Sequence, residues 1–104
     1  MQIELRELLS LVNPVQARER REHGIALVIA DRGHVWVGDV VTNGDWCIIT
    51  KASVVRLWGT TRGLGEIASG GPTDKTVLDK IGEVRANMRA VIAIVPCEVS
   101  RWSL

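Results

Sequence analysis

Residues 24–50 read GIALVIADRGHVWVGDVVTNGDWCIIT, three apolar runs of strand length separated by two turn signals. Ile25 to Ala30 is rich in branched residues, Asp31-Arg32-Gly33 can reverse the chain, and His34 to Val41 alternates imperfectly between polar and apolar. Asn43-Gly44 is the strongest short-range hairpin signal in the chain, because tight turns that match sheet twist need the positive φ these residues tolerate. Trp46 to Thr50 then returns beside the second run. The stretch predicts a three-strand antiparallel meander with Trp36 and Trp46 on either side of one turn.

Working outward, Ala52 to Trp58 is a fourth strand candidate. Gly59 to Gly71 changes texture to a glycine-rich segment in which Leu64, Ile67 and Ala68 have the spacing of a short helical turn. Gly70-Gly71-Pro72 ends that turn, Thr76 to Leu78 is a brief strand, and Asp79 to Gly82 reads as another turn. Glu83 to Arg89 has period-two spacing, and Ala90 to Val95 is the last strong strand, closed or placed at an edge by Pro96.

Toward the amino terminus, Leu5, Leu8, Leu9 and Val12 are spaced to share one face of a helix that Asn13-Pro14 interrupts. A second helical segment is expected from Pro14 towards Glu22, with the charged cluster at 18–22 as a solvated face. The expected organisation is therefore a helical segment over 1–23 and a mainly β domain over 24–104. That domain is a small, partly open antiparallel barrel or curled sheet of five to seven strands, with an amino-terminal helix and a short helical turn.

The 104 residues suit a folded domain, since 46% are apolar and 24% charged, and a chain this small gains from oligomerisation. A formal charge of +1 does not by itself predict nucleic-acid binding. No apolar run approaches the roughly 20 residues that cross a bilayer, so no membrane association is expected. Cys47 and Cys97 lie in or beside apolar strand runs and read as buried free thiols; if their strands adjoin, a disulfide is the alternative.

Chemistry-bearing patterns are sparse. His23 and His34 form no metal-ligand spacing with each other, the aspartates sit in turn contexts, and no nucleophile motif appears, so neither a metal nor a cofactor is expected. A catalytic grouping of His34, Asp39, Asp45 and Cys47 requires the hairpin to gather them, and strand parity opposes it. Gly59 to Gly65 could present amides to an anion, with Thr60 or Thr61 capping and Arg62 adding charge, but it lacks the GxxxxGK[ST] phosphate-loop pattern. Arg56, Arg62, Arg85 and Arg89 become a nucleic-acid or nucleotide site if they converge with Trp58 on one face. Candidate self-association contacts are Leu5, Leu8, Leu9 and Trp102; the last of these either caps the core or meets another subunit.

The strand from His34 to Gly38, the run through Ala52 and Arg56 to Trp58-Gly59, the LGEIA turn and the terminal IAIVPCE together resemble small proteins encoded by bacteriophages and prophages, over about residues 30–98. The resemblance implies a β-rich protein in the cytoplasm of a bacterial host, with no assigned activity and no catalytic residues to carry over. The function expected is that of a non-catalytic accessory protein acting by binding or homo-oligomeric assembly, with a nucleic-acid or nucleotide-binding module as the alternative.

Overall fold

A computed structural model describes residues 20–104 of the chain. Five strands, β1 (Arg21–Ala30), β2 (Val35–Asn43), β3 (Trp46–Leu57), β4 (Val77–Asn87) and β5 (Val91–Pro96), form one antiparallel sheet in the order β4-β3-β2-β1-β5. One helix, α1 (Leu64–Gly70), stands between β3 and β4, and short 3-10 turns occupy Asp31–Gly33, Met88–Ala90 and Val99–Arg101. The mainly β expectation, with a curled sheet and one short helical turn, is what the described residues form.

The meander follows from its two turns. Asn43 pairs with Trp46 across the second, and Gly44 supplies the positive φ of 58° that closes it. β1 lies between β2 and β5 with both faces covered, which is why Ala26, Leu27 and Val28 are all fully buried and why its sequence reads as a continuous apolar run.

Two clusters divide the core by strand parity. One face gathers Ala26, Val28, Val40, Cys47, Ile49 and Ala86, with Met88, Val91 and Ile94 packed against them. Residues near both edges of the sheet thus share one cluster, so the sheet curls towards a barrel. It remains unclosed, because β4 and β5 are its two edges. The other face gathers Leu27, Val35, Val37 and Val55 under Ile67 and Ala68 of α1 and under Trp102.

The carboxy-terminal residues hold α1 in place. Trp102 donates from Nε1 to the Ile67 carbonyl at 3.1 Å, and Glu98 donates its amide to the Ala68 carbonyl at 2.8 Å, satisfying groups that the helix end leaves free. Of the two roles expected for Trp102, the described residues show the core one, with the residue only 8% exposed.

Where the sequence suggested two strands on each side of a break, the structure has single long ones. β3 runs through Lys51, whose φ of 52° marks a bulge, and the register with β2 shifts between Val37↔Ser53 and Asp39↔Thr50. β4 follows that irregularity, pairing Gly82 with Ala52 and Lys80 with Ser53, so Asp79 to Gly82 is strand and not a turn. Of the expected helical segment over 1–23, residues 1–19 lie outside the described residues, and with them Leu5, Leu8 and Leu9. Arg21 to His23 open β1, where Arg21 and Glu22 pair with Thr42 and Val41 of β2 in place of a helix.

Candidate binding surface

Among the described residues, the face covered by α1 is covered at one end only. Register carries it on through Val41, Ile48 and Arg85, and through Asn43 and Trp46, all opposite in parity to the buried Cys47 and Ile49. Asn43, Trp46, Ile48 and Arg85 line a groove of about 590 Å³ there. Trp46 is 51% exposed on a regular strand, an unusual place for an aromatic ring that could have turned inward. Arg85 is held at the rim by Glu83, Nε to Oε2 at 2.7 Å. Asn43 Oδ1 is buried with no hydrogen-bond partner among the described residues, an arrangement that costs about 1–3 kcal/mol unless something donates to it.

The expected basic site is split by this geometry. Arg56 lies eight residues beyond Ile48 along β3, roughly 26 Å at about 3.3 Å per residue, and on the opposite face from Arg85. It pairs with Asp79 at 3.1 Å. Arg56, Trp58, Thr60, Thr61 and Arg62 therefore belong to one end of the sheet, while Arg85 and Arg89 belong to the other. The ring that accompanies Arg85 is Trp46, which the reading of the sequence placed in the meander without assigning it to a site. The parity of β3 could have found it, since Cys47 inward places Trp46 outward.

In the loop from Gly59 to Gly65, hydroxyls are engaged internally. Thr60 Oγ1 accepts the Gly63 amide at 3.1 Å, and Thr61 Oγ1 donates to Glu66 Oε1 at 3.1 Å. Thr73 and Thr76 donate to the Gly59 and Trp58 carbonyls, both at 2.7 Å, and tie the loop to the approach to β4. A carboxylate beside Thr61 opposes an anion at that point.

The residues considered for catalysis stay apart. His34 stacks on Trp36 with ring centroids 5.6 Å apart and the planes 5° from parallel, at the far end of β2 from Thr42, the partner of Cys47. Among the described residues no three His, Cys, Asp or Glu side chains are grouped to hold a metal ion. His23 instead shares a hydrogen bond with Thr42, Nε2 to Oγ1 at 2.9 Å.

Cys47 and Cys97 belong to different clusters, on opposite faces of the sheet, and both are free, so they do not adjoin. Burial pushes both thiols up; Cys97 reaches about 11 from an ordinary 9.0, with a backbone hydrogen bond from Leu27 acting the other way. A raised folded-state value means that the unfolded thiol ionises first. The contribution of Cys97 to stability is then complete below pH 9 and is lost as pH rises towards 11. Urea unfolding across that interval should show the decline, and Cys97→Ala should flatten it.

No helix among the described residues is long and apolar enough to cross a membrane. Compared with known proteins, the chain matches no family model, no curated protein and no solved structure.

Proposed function

We propose that this protein acts by binding and self-association, without catalysis, and that the groove at Trp46 is the surface it uses. The half-exposed Trp46 supports this most directly, with Val41 and Ile48 on the same face and a guanidinium at the rim. Tryptophan and arginine are the residue types that dominate the energetic centres of protein interfaces. The partner proposed is a second copy of the chain, since a two-fold axis lets one such patch serve both sides of a contact. A domain of this size also buries little surface alone and gains from sharing more. A role as a phage or prophage accessory protein in the cytoplasm of a bacterial host belongs to the same proposal and rests on the resemblance of residues 30–98.

Light scattering over about a hundredfold range of concentration tests the reading by mass action. The mass should rise with concentration, and Trp46→Asp should remove the rise while leaving the far-ultraviolet circular dichroism unchanged. A strict monomer throughout overturns self-association. A nucleic-acid module is the second reading, favoured by the exposed ring beside Arg85 and opposed by the Glu83 carboxylate bound to that arginine. Its signature is single-stranded nucleic acid bound at low salt and released as salt rises, with Arg85→Ala reducing the dependence.

A further inference from the structure

We infer that the cavity beside the facing bulges of β3 and β4 binds a small organic dianion, a phosphomonoester with an apolar body. It is separate from the groove at Trp46 and shares no lining residue with it. The ladder is interrupted here on both strands. Thr50 and Lys51 stand opposite Glu83 alone, and Ile81 has no partner between Ala52↔Gly82 and Ser53↔Lys80. The backbone turns through positive φ at Lys51 (52°) and Gly82 (88°), and a Cβ added at Gly82 would meet nothing within 4 Å. A cavity of about 320 Å³ lies here, lined by Lys51, Ala52, Ser53, Lys80, Gly82 and Leu104, at the small end of the range for ligand sites.

Ser53 carries the inference. It is only 2% exposed, and it pairs with Val37 and Lys80, so these three share the face on which Val37 and Leu104 join the cluster under α1. Ser69 and Ser100 find acceptors close by in sequence; the Ser53 hydroxyl has no hydrogen-bond partner among the described residues and lines the cavity instead. A buried hydroxyl left so is costly unless something in the cavity bonds to it.

The charge around it is one-sided. Arg20, Arg56 and Arg85 each hold a carboxylate, whereas Lys51 and Lys80 have none at ion-pair distance among the described residues. Asp79 and Glu83, the acidic residues nearest Lys80 in sequence, are committed to Arg56 and Arg85. No acidic side chain lines the cavity. Two ammonium groups match the charge of a phosphomonoester, which carries between about −1.5 and −2 at pH 7 and has oxygens that accept from lysine and serine alike. Ala52 and Leu104 supply apolar wall for the organic part.

Isothermal titration of the full chain tests the inference with phenyl phosphate, phenyl sulfate, inorganic phosphate and phenol. Phenyl phosphate should bind more tightly than the other three. Phenyl sulfate, of the same shape but a monoanion, binding as tightly overturns the dianion; inorganic phosphate binding as tightly overturns the ester. No binding of phenyl phosphate overturns the site itself. Lys51→Asn, which keeps a residue tolerant of positive φ, and Lys80→Gln should each weaken phenyl phosphate by about threefold or more, and a smaller loss in either overturns the site. Lys75→Gln removes an exposed lysine away from the cavity and should leave binding unchanged. An equal loss there would mean diffuse attraction and overturn the site as well. Ser53→Ala separates binding from folding: it removes a hydroxyl without a partner, so the melting temperature should hold or rise while phenyl phosphate binds more weakly. A lowered melting temperature with undiminished binding would show that the hydroxyl serves the fold and not a ligand.

Discussion

Trp102→Ala should lower stability by about 3–5 kcal/mol, the range for deleting a buried aromatic side chain. For a domain of this size that corresponds to roughly 15–30 °C in melting temperature. The ring fills the cluster formed by Leu27, Val35, Val37 and Val55, and its loss opens a cavity between α1 and the sheet. Its indole also holds the Ile67 carbonyl, which accepts a second bond from the Gly71 amide at 2.8 Å. Trp102→Phe should therefore cost far less, about 1 kcal/mol for a hydrogen bond whose acceptor keeps another partner, together with the packing lost by the smaller ring. Trp58→Ala makes the control: that ring is 45% exposed, and its removal should move the melting temperature little. Thermal unfolding followed by circular dichroism checks all three, and equal effects at 58 and 102 would contradict the assignment of Trp102 to the core.

Gly38→Val should be comparably damaging, for a steric reason. A Cβ at position 38 would stand 2.6 Å from Ile49 Cγ2 and 2.7 Å from the Thr50 carbonyl oxygen. The isoleucine could rotate, but Thr50 O is backbone, set by the bulge of β3. Relief requires β2 and β3 to separate where their register shifts. The smaller Gly38→Ala should cost about 1–3 kcal/mol, as overpacking of a close-packed site does, and the branched Val at least as much. Urea unfolding at one pH resolves the series. A Gly38→Ala protein as stable as the wild type would mean that the bulge is softer than its geometry indicates.

Much of the fold was legible because local signals agreed with tertiary demand. The branched run of β1, the Asn43-Gly44 turn and the LGEIA helix each appear where the sequence puts them. The strands that were divided too finely share one cause. Lys51 and Gly82 read as interruptions, whereas across the sheet they accommodate each other as paired irregularities, and pairing is invisible along a single strand. The site was harder for a related reason. Parity sets Trp46 opposite Cys47 but does not say that its face stays open; that depends on which half of the face α1 and the carboxy-terminal residues reach. Arg56 and Arg85 looked like members of one patch because composition carries no parity.

The return of β5 to β1 also bears on how the chain is made. Strands β1 to β4 pair with sequence neighbours and can form hairpin by hairpin as they emerge from the ribosome. β1 nevertheless waits, with one edge unpaired until Ala26 meets Pro96 and with Leu27 uncovered until Trp102 arrives. From the emergence of β1 until that of β5, a strand whose Ala26, Leu27 and Val28 end fully buried is therefore an open template for other chains. Ribosome-bound intermediates halted before residue 91 should be the species that chaperones engage, and emergence of β5 and Trp102 should end that engagement abruptly.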